Sequence, residues 1–167
     1  MADEQNAQMT DGATDEAGGM IPPVTLTAQY VKDLSFENPD APQSLGDLNP
    51  PPAIKVDVDV EAKALGGRYF EAMLHVRATA ERDEKTFFVA EVSYGGVCAV
   101  AEEVDEEHIR PLVMIEGPRM LFPFARAVIA DAVRDGGFPP LLINPIDFTM
   151  LYQQMAANEA AQAETQA

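Results

Sequence analysis

The sequence predicts an α+β fold, a four-stranded antiparallel sheet with two main helices packed on one face. Three observations carry that expectation. Ile54–Val60 alternates apolar and charged residues without error for seven positions. Strand-like runs follow one another through short turns, which implies antiparallel pairing. After about residue 105 the apolar spacing changes from every second residue to the helical i, i+4, i+7 series. Strands first and helices after place the helices together on one side of the sheet.

The elements follow in order. Val24–Leu34 is a strand, and the connection from Asn38 to Pro52 holds five prolines and is too stiff and polar for a regular element. Ile54–Val60 is a half-buried strand with a charged outer face, ending at the turn Leu65-Gly66-Gly67. Tyr69–Thr79 continues the alternation to a charged hairpin turn at Glu81–Lys85. Thr86–Tyr94 is the next strand, interrupted by Gly95-Gly96 and completed by Val97–Ala101. Phe87 and Phe88 are adjacent and are expected on opposite sides of the sheet. Two or three helices cover one face only, so the other is expected to meet a second copy, a partner or a ligand.

In the second half Asp105-Glu106-Glu107 caps a short helical piece that Pro111 limits or restarts. Pro118 opens the main helix, whose stripe is Leu121, Ala125, Val128, Ile129, Ala132 and Val133. Gly136-Gly137 ends it. Phe138–Pro145 is extended and apolar, either a packed crossover or the wall of a groove. Asp147 is the N-cap of a last helix carrying Phe148, Leu151, Tyr152 and Met155.

Composition sets the outer limits. A chain of 167 residues that is 47% hydrophobic builds one domain with a core. The domain is expected over 21–155, with an acidic disordered tail over 1–20 and a flexible tail over 156–167. Against 11 Lys and Arg stand 28 Asp and Glu, for a net charge of −17. Such a chain has no basic footprint for nucleic acid and is repelled by anionic lipid. No apolar run reaches the ~20 residues of a membrane span. The N-terminus lacks the basic and apolar regions of a secretory signal. Cys98 is the only cysteine, so neither an intrachain disulfide nor a cysteine-built metal site is available, and a reducing compartment fits.

Catalytic motifs are missing. There is no GxGxxG, Walker loop, GxSxG or HExxH. Gly95-Gly96 has no following Lys and helix start to cradle a phosphate. His75 and His108 read as solvated histidines, Cys98 as a small core residue, and Asp57 with Asp59 as a poor metal pair. An enzyme using Asp57 or Asp59 with His75 is one alternative reading, and a structural or adaptor module without a client is another.

Four segments resemble a known family. Tyr30–Pro42 (YVKDLSFENPDAP) is similar to the N-terminal signature of the bacterial protein-export chaperone family SecB, and Phe88–Val97 (FVAEVSYGGV) to its third strand. Leu121–Arg126 (LFPFAR) and Gly137–Leu141 (GFPPL) leading to Pro145–Phe148 match in the family's order. The resemblance implies a cytosolic holdase without ATPase activity or cofactor, assembled as a homotetramer (a dimer of dimers). It implies binding of non-native secretory preproteins and their delivery to the SecA motor. Carried over residue by residue, the SecA contact falls on Asp33, Glu37, Val89 and Glu91. The client groove falls near Phe138, Leu141 and Ile143.

Overall fold

A computed structural model describes residues 22–46 and 48–165; the expected acidic tail over 1–20 lies outside them. The elements run β1 (Val24–Glu37), α1 (Gln43–Gly46), β2 (Ala53–Gly66), β3 (Tyr69–Arg82), β4 (Lys85–Val100), α2 (Glu106–Asp135) and α3 (Phe148–Thr165). The four strands form one sheet in the order β1-β4-β3-β2, with every neighbouring pair antiparallel. β1 and β2 are therefore its edges. The helix α3 continues through residues 156–165, and the 38–52 connection contains the single-turn α1.

Alternation divides the sheet into two faces. Ala72, Leu74, Val76, Ala78 and Ala80 of β3 are buried, as are Ala90, Val92 and Cys98 of β4. They meet α2 through Val113, Leu121, Ala125, Ile129 and Val133, all fully buried. The helix comes close to the sheet at Gly117, where an added Cβ would lie 2.7 Å from Ala72 Cβ. α3 packs on α2, with Phe148 against Phe122 at 5.9 Å between ring centroids. Asp147 caps α3 by accepting from the Thr149 and Met150 amides, both at 3.0 Å.

Four expectations need correction. The helix α2 is a single element of 30 residues that carries Pro111, Pro118 and Pro123 inside it, so Pro111 neither limits nor restarts it. Each interior proline removes one backbone hydrogen bond, and the nine buried residues of α2 hold it across those gaps. Asp105 stands at its N-cap position but makes no side-chain cap bond.

Gly95-Gly96 does not interrupt β4, which runs unbroken from Lys85 to Val100. The two glycines make room instead. A Cβ on Gly96 would lie 2.6 Å from Leu26 Cδ1 and 2.8 Å from Leu121 Cδ2.

Phe87 and Phe88 do not signal an uncovered apolar face, since both are buried within the one chain. Ala80 pairs with Phe88 and Glu81 with Thr86, so Phe87 is the extra residue of a β-bulge and the alternation breaks there. The Arg82 guanidinium lies 4.8 Å from the Phe87 ring centroid and donates to the Pro50 carbonyl. Lys85 pairs with Asp40. The β1–β2 connection is thereby tied to the β3–β4 hairpin.

Candidate functional site

Two surfaces lie on opposite sides of the sheet. The outer face is read from the register. Glu37, Val89, Thr79 and Lys55 form one row across the four strands; Ser35, Glu91, Arg77 and Asp57 form the next. Asp33, Ser93, His75 and Asp59 follow, then Tyr30, Gly95, Met73 and Glu61. Asp33, Glu37, Val89 and Glu91 thus share one patch on β1 and β4, with Val89 directly opposite Glu37. Asp33 and Glu37 are exposed, whereas Val89 and Glu91 are half-buried. Glu91 is not a free charge: Arg77 donates to it across the β3–β4 pair. Alternation along β3 would have placed Arg77 on this face, but nothing in the sequence names its partner.

Tyr30 lies further along the same face. Its hydroxyl donates to Glu71 Oε1, and Lys32 Nζ lies 3.5 Å from the same oxygen. That hydrogen bond, with burial second, raises the Tyr30 pKa to about 12. The same bond, more than the nearby Lys32, holds the Glu71 carboxyl below its ordinary range. Cys98 sits under the sheet, and burial pushes its thiol pKa up, away from the reactive thiolate.

His75 accepts or donates at Nδ1 to Ser93 Oγ at 2.9 Å, and its Nε2 is 3.9 Å from Glu61. This Ser–His–carboxylate series stands on open sheet. The backbone N–H groups of β3 and β4 around it are committed to the ladder, so none is free to stabilise an oxyanion there. Among the described residues no group of three or more His, Cys, Asp or Glu is placed to hold a metal ion.

The second surface is an apolar trough on the helix side, along the β2 edge. One cavity of about 400 Å³ is lined by Leu48, Pro51, Pro52 and Ile54 on one side and Pro139–Leu142 on the other, with Phe88 and Phe138 beneath. A second, of about 570 Å³, continues it along Val56, Val58, Ile143, Ile146 and Leu151. Ile54, Leu141 and Leu142 line both. The aromatic base is a run of rings, with Phe36 to Phe88 at 5.8 Å and Phe88 to Phe138 at 5.0 Å. Phe138 and Ile143 are buried and Leu141 half-buried, so the apolar surface offered to solvent is chiefly Leu142, 81% exposed, and Ile54, 43% exposed. Sequence reasoning missed the opposite wall, Leu48, Pro51, Pro52 and Ile54. The signals were present: a triple proline, and an inward position at the start of β2.

An apolar trough and a predominantly acidic sheet face on the opposite side are surfaces of the kind a binding protein offers. The family model described as preprotein translocase subunit SecB matches residues 19–159. The chain belongs to the SecB family and is a protein-export chaperone. It is 48% identical over 158 residues to a protein-export protein SecB of Maricaulis maris, covering 93% of this chain and 91% of that one. It is likewise 48% identical over 150 residues to that of Agrobacterium fabrum, covering 90% and 93%. Among solved structures, a Mycobacterium tuberculosis SecB-like chaperone in complex with a ChAD peptide from the HigA1 antitoxin shares the fold. Its TM-score is 0.59 at 11% identity, over 74% of this chain and 88% of that one.

Proposed function

We propose that this chaperone is a cytosolic holdase that binds non-native secretory preproteins in the β2-edge trough and delivers them to SecA through its outer face. It works without nucleotide or cofactor and catalyses no reaction. The observation that carries this reading is the two-sided geometry: the trough lies on the helix side of the sheet, and Asp33, Glu37, Val89 and Glu91 lie on the other. A client and a cationic partner contact therefore do not compete for surface. Acids around a small apolar spot suit a handover contact that salt weakens.

The same reading includes assembly as a dimer of dimers. Among the described residues β1 has an unpaired outer edge, and beside it Val31, Leu34 and Phe124 are 45%, 46% and 45% exposed. Tyr94 pairs with Val31 and stacks on Phe124 at 6.3 Å, which makes these residues one apolar patch. An open strand edge beside such a patch supports docking of a second copy.

The test has two arms. The protein should suppress aggregation of an unfolded preprotein near stoichiometric ratio without ATP. SecA titrated calorimetrically should bind the wild type and lose most of its affinity for the folded Asp33→Lys/Glu91→Lys variant, with client holding little changed. No suppression, or a strict ATP requirement, refutes the holdase; equal SecA affinity in the variant refutes the surface.

A further inference from the structure

The strand β1 does not alternate simply. Val24, Leu26, Val31, Leu34 and Phe36 pair with residues of β4 that face the helices, whereas Thr25, Ala28, Tyr30, Asp33, Ser35 and Glu37 pair with residues that face outward. Two register shifts reconcile these sets, one between Leu26 and Ala28 and one between Val31 and Asp33. Thr27 and Lys32 are the extra residues. A bulge reverses which positions face which side. Without the second one, continued alternation from Tyr30 would turn Lys32, Leu34 and Phe36 outward and Asp33 and Glu37 toward the helices.

Tyr30, just before this bulge, and Lys32, within it, converge on one atom. Tyr30, the last outward residue before it, donates its hydroxyl to Glu71 Oε1, and Lys32, the inserted residue, lies 3.5 Å from the same oxygen. Glu71 stands on β3, two strands away, and the Tyr30 ring crosses β4 over Gly95 to reach it. The bulge is thus tied to the centre of the sheet rather than only to its neighbour.

We propose that Glu71 is a positioning residue for the SecA contact: by holding Tyr30, just before the β1 bulge, and Lys32, its inserted residue, it keeps Asp33 and Glu37 turned to the outer face. This rests on the reading of that face as the SecA surface.

The test uses the full chain with Glu71→Ala, Glu71→Gln and Tyr30→Phe. Gln keeps an acceptor for the tyrosine hydroxyl, and Phe keeps the ring over Gly95. Amide hydrogen exchange over residues 31–35 reads the bulge directly. It should quicken at least about tenfold in Glu71→Ala and Tyr30→Phe and much less in Glu71→Gln. SecA affinity should fall about tenfold in the same order, with client holding unchanged. Unchanged exchange in both loosening variants overturns the proposal, as does weaker SecA binding without faster exchange, which would make Glu71 a direct contact. Faster exchange with intact SecA affinity also overturns it when Asp33→Lys/Glu91→Lys abolishes binding. If that double reversal is silent too, the surface reading has failed and the proposal falls with it.

Discussion

The ring of Tyr30 occupies the space that a side chain at Gly95 would need, because a Cβ there would lie 2.7 Å from Tyr30 Cε2 and 2.9 Å from Met73 Cε. The ring cannot swing away freely while its hydroxyl is held by Glu71. Gly95→Ala should therefore lower stability by about 1–3 kcal/mol through overpacking, although alanine is ordinarily the better strand residue. Urea unfolding checks this, and an unchanged midpoint would show that Tyr30 yields without cost.

The β3–β4 hairpin turns through Asp83 and Glu84, both with left-handed backbone, at φ 52° and 61°. A two-residue turn of this kind favours glycine at its second centre, and a side chain there costs ~1–2 kcal/mol. Part of the gain is offset by the looser unfolded chain. Glu84→Gly should then stabilise by about 0.5–1 kcal/mol, seen as a higher urea midpoint at unchanged slope.

Within the trough, exposure separates binding from folding. Leu142 is 81% exposed, so Leu142→Asp should leave stability within about 0.5 kcal/mol. It should weaken client holding at least about tenfold, by placing a charge where apolar side chains settle. Phe138 is buried, and Phe138→Ala should instead lose about 3 kcal/mol of stability. Titration of an unfolded preprotein together with urea unfolding distinguishes the two outcomes.

The Tyr30–Glu71 bond should show in the pH dependence of stability. The Glu71 pKa is lowered in the folded chain, so its contribution is present above the unfolded value of 4.5 and lost as pH falls through the folded one. The Tyr30 pKa is raised, so its contribution is complete below 10.0 and lost as pH rises towards about 12. The stability difference between wild type and Tyr30→Phe should accordingly be flat between these limits and shrink beyond each. A difference that stays constant from acid to alkali would show that the hydroxyl adds nothing.

Assembly should fail when the β1 patch is charged. Val31→Lys with Leu34→Lys places cations on an edge where a second copy would bring the same pair. Sedimentation velocity should show smaller species than the wild type at equal concentration, with helix and sheet content retained. A pattern identical to the wild type would move the interface elsewhere.

Much of this was legible in the sequence wherever alternation was perfect. Ile54–Val60 pairs without a register shift, Tyr69–Thr79 has one only at its first residue, where Leu65 of β2 is extra, and Asp147 caps as its residue type suggests. Legibility failed where a distant contact overrode local preference. Pro111 reads as a helix boundary until the buried surface of α2 is counted, and Gly95-Gly96 reads as a break until Tyr30, Leu26 and Leu121 are seen to fill the space above and below. Phe87 and Phe88 misled for a related reason: a bulge consumes one residue and leaves no mark in composition. On the outer face, the side shared by Asp33 with Glu37 and by Val89 with Glu91 followed from local spacing. The far wall of the trough did not, because it comes from a connection whose prolines suggest only that it is irregular.

The edge formed by β2 bears on how such a molecule stays dispersed. From Lys55 to Lys63 every outward position on it is charged (Lys55, Asp57, Asp59, Glu61 and Lys63), while the trough opens beside its inward positions. An open strand edge next to exposed apolar surface is the usual seed for chain-to-chain polymerisation, and a row of fixed charges is the usual guard against it. Pairing this edge with its own copy would force like charges together or shed their hydration, whereas an incoming unfolded segment brings no matching row. Under the proposed function the strand can accept a client segment while its charges disfavour pairing with its own copy, which is the condition for storing adhesive surface at high concentration without gelling.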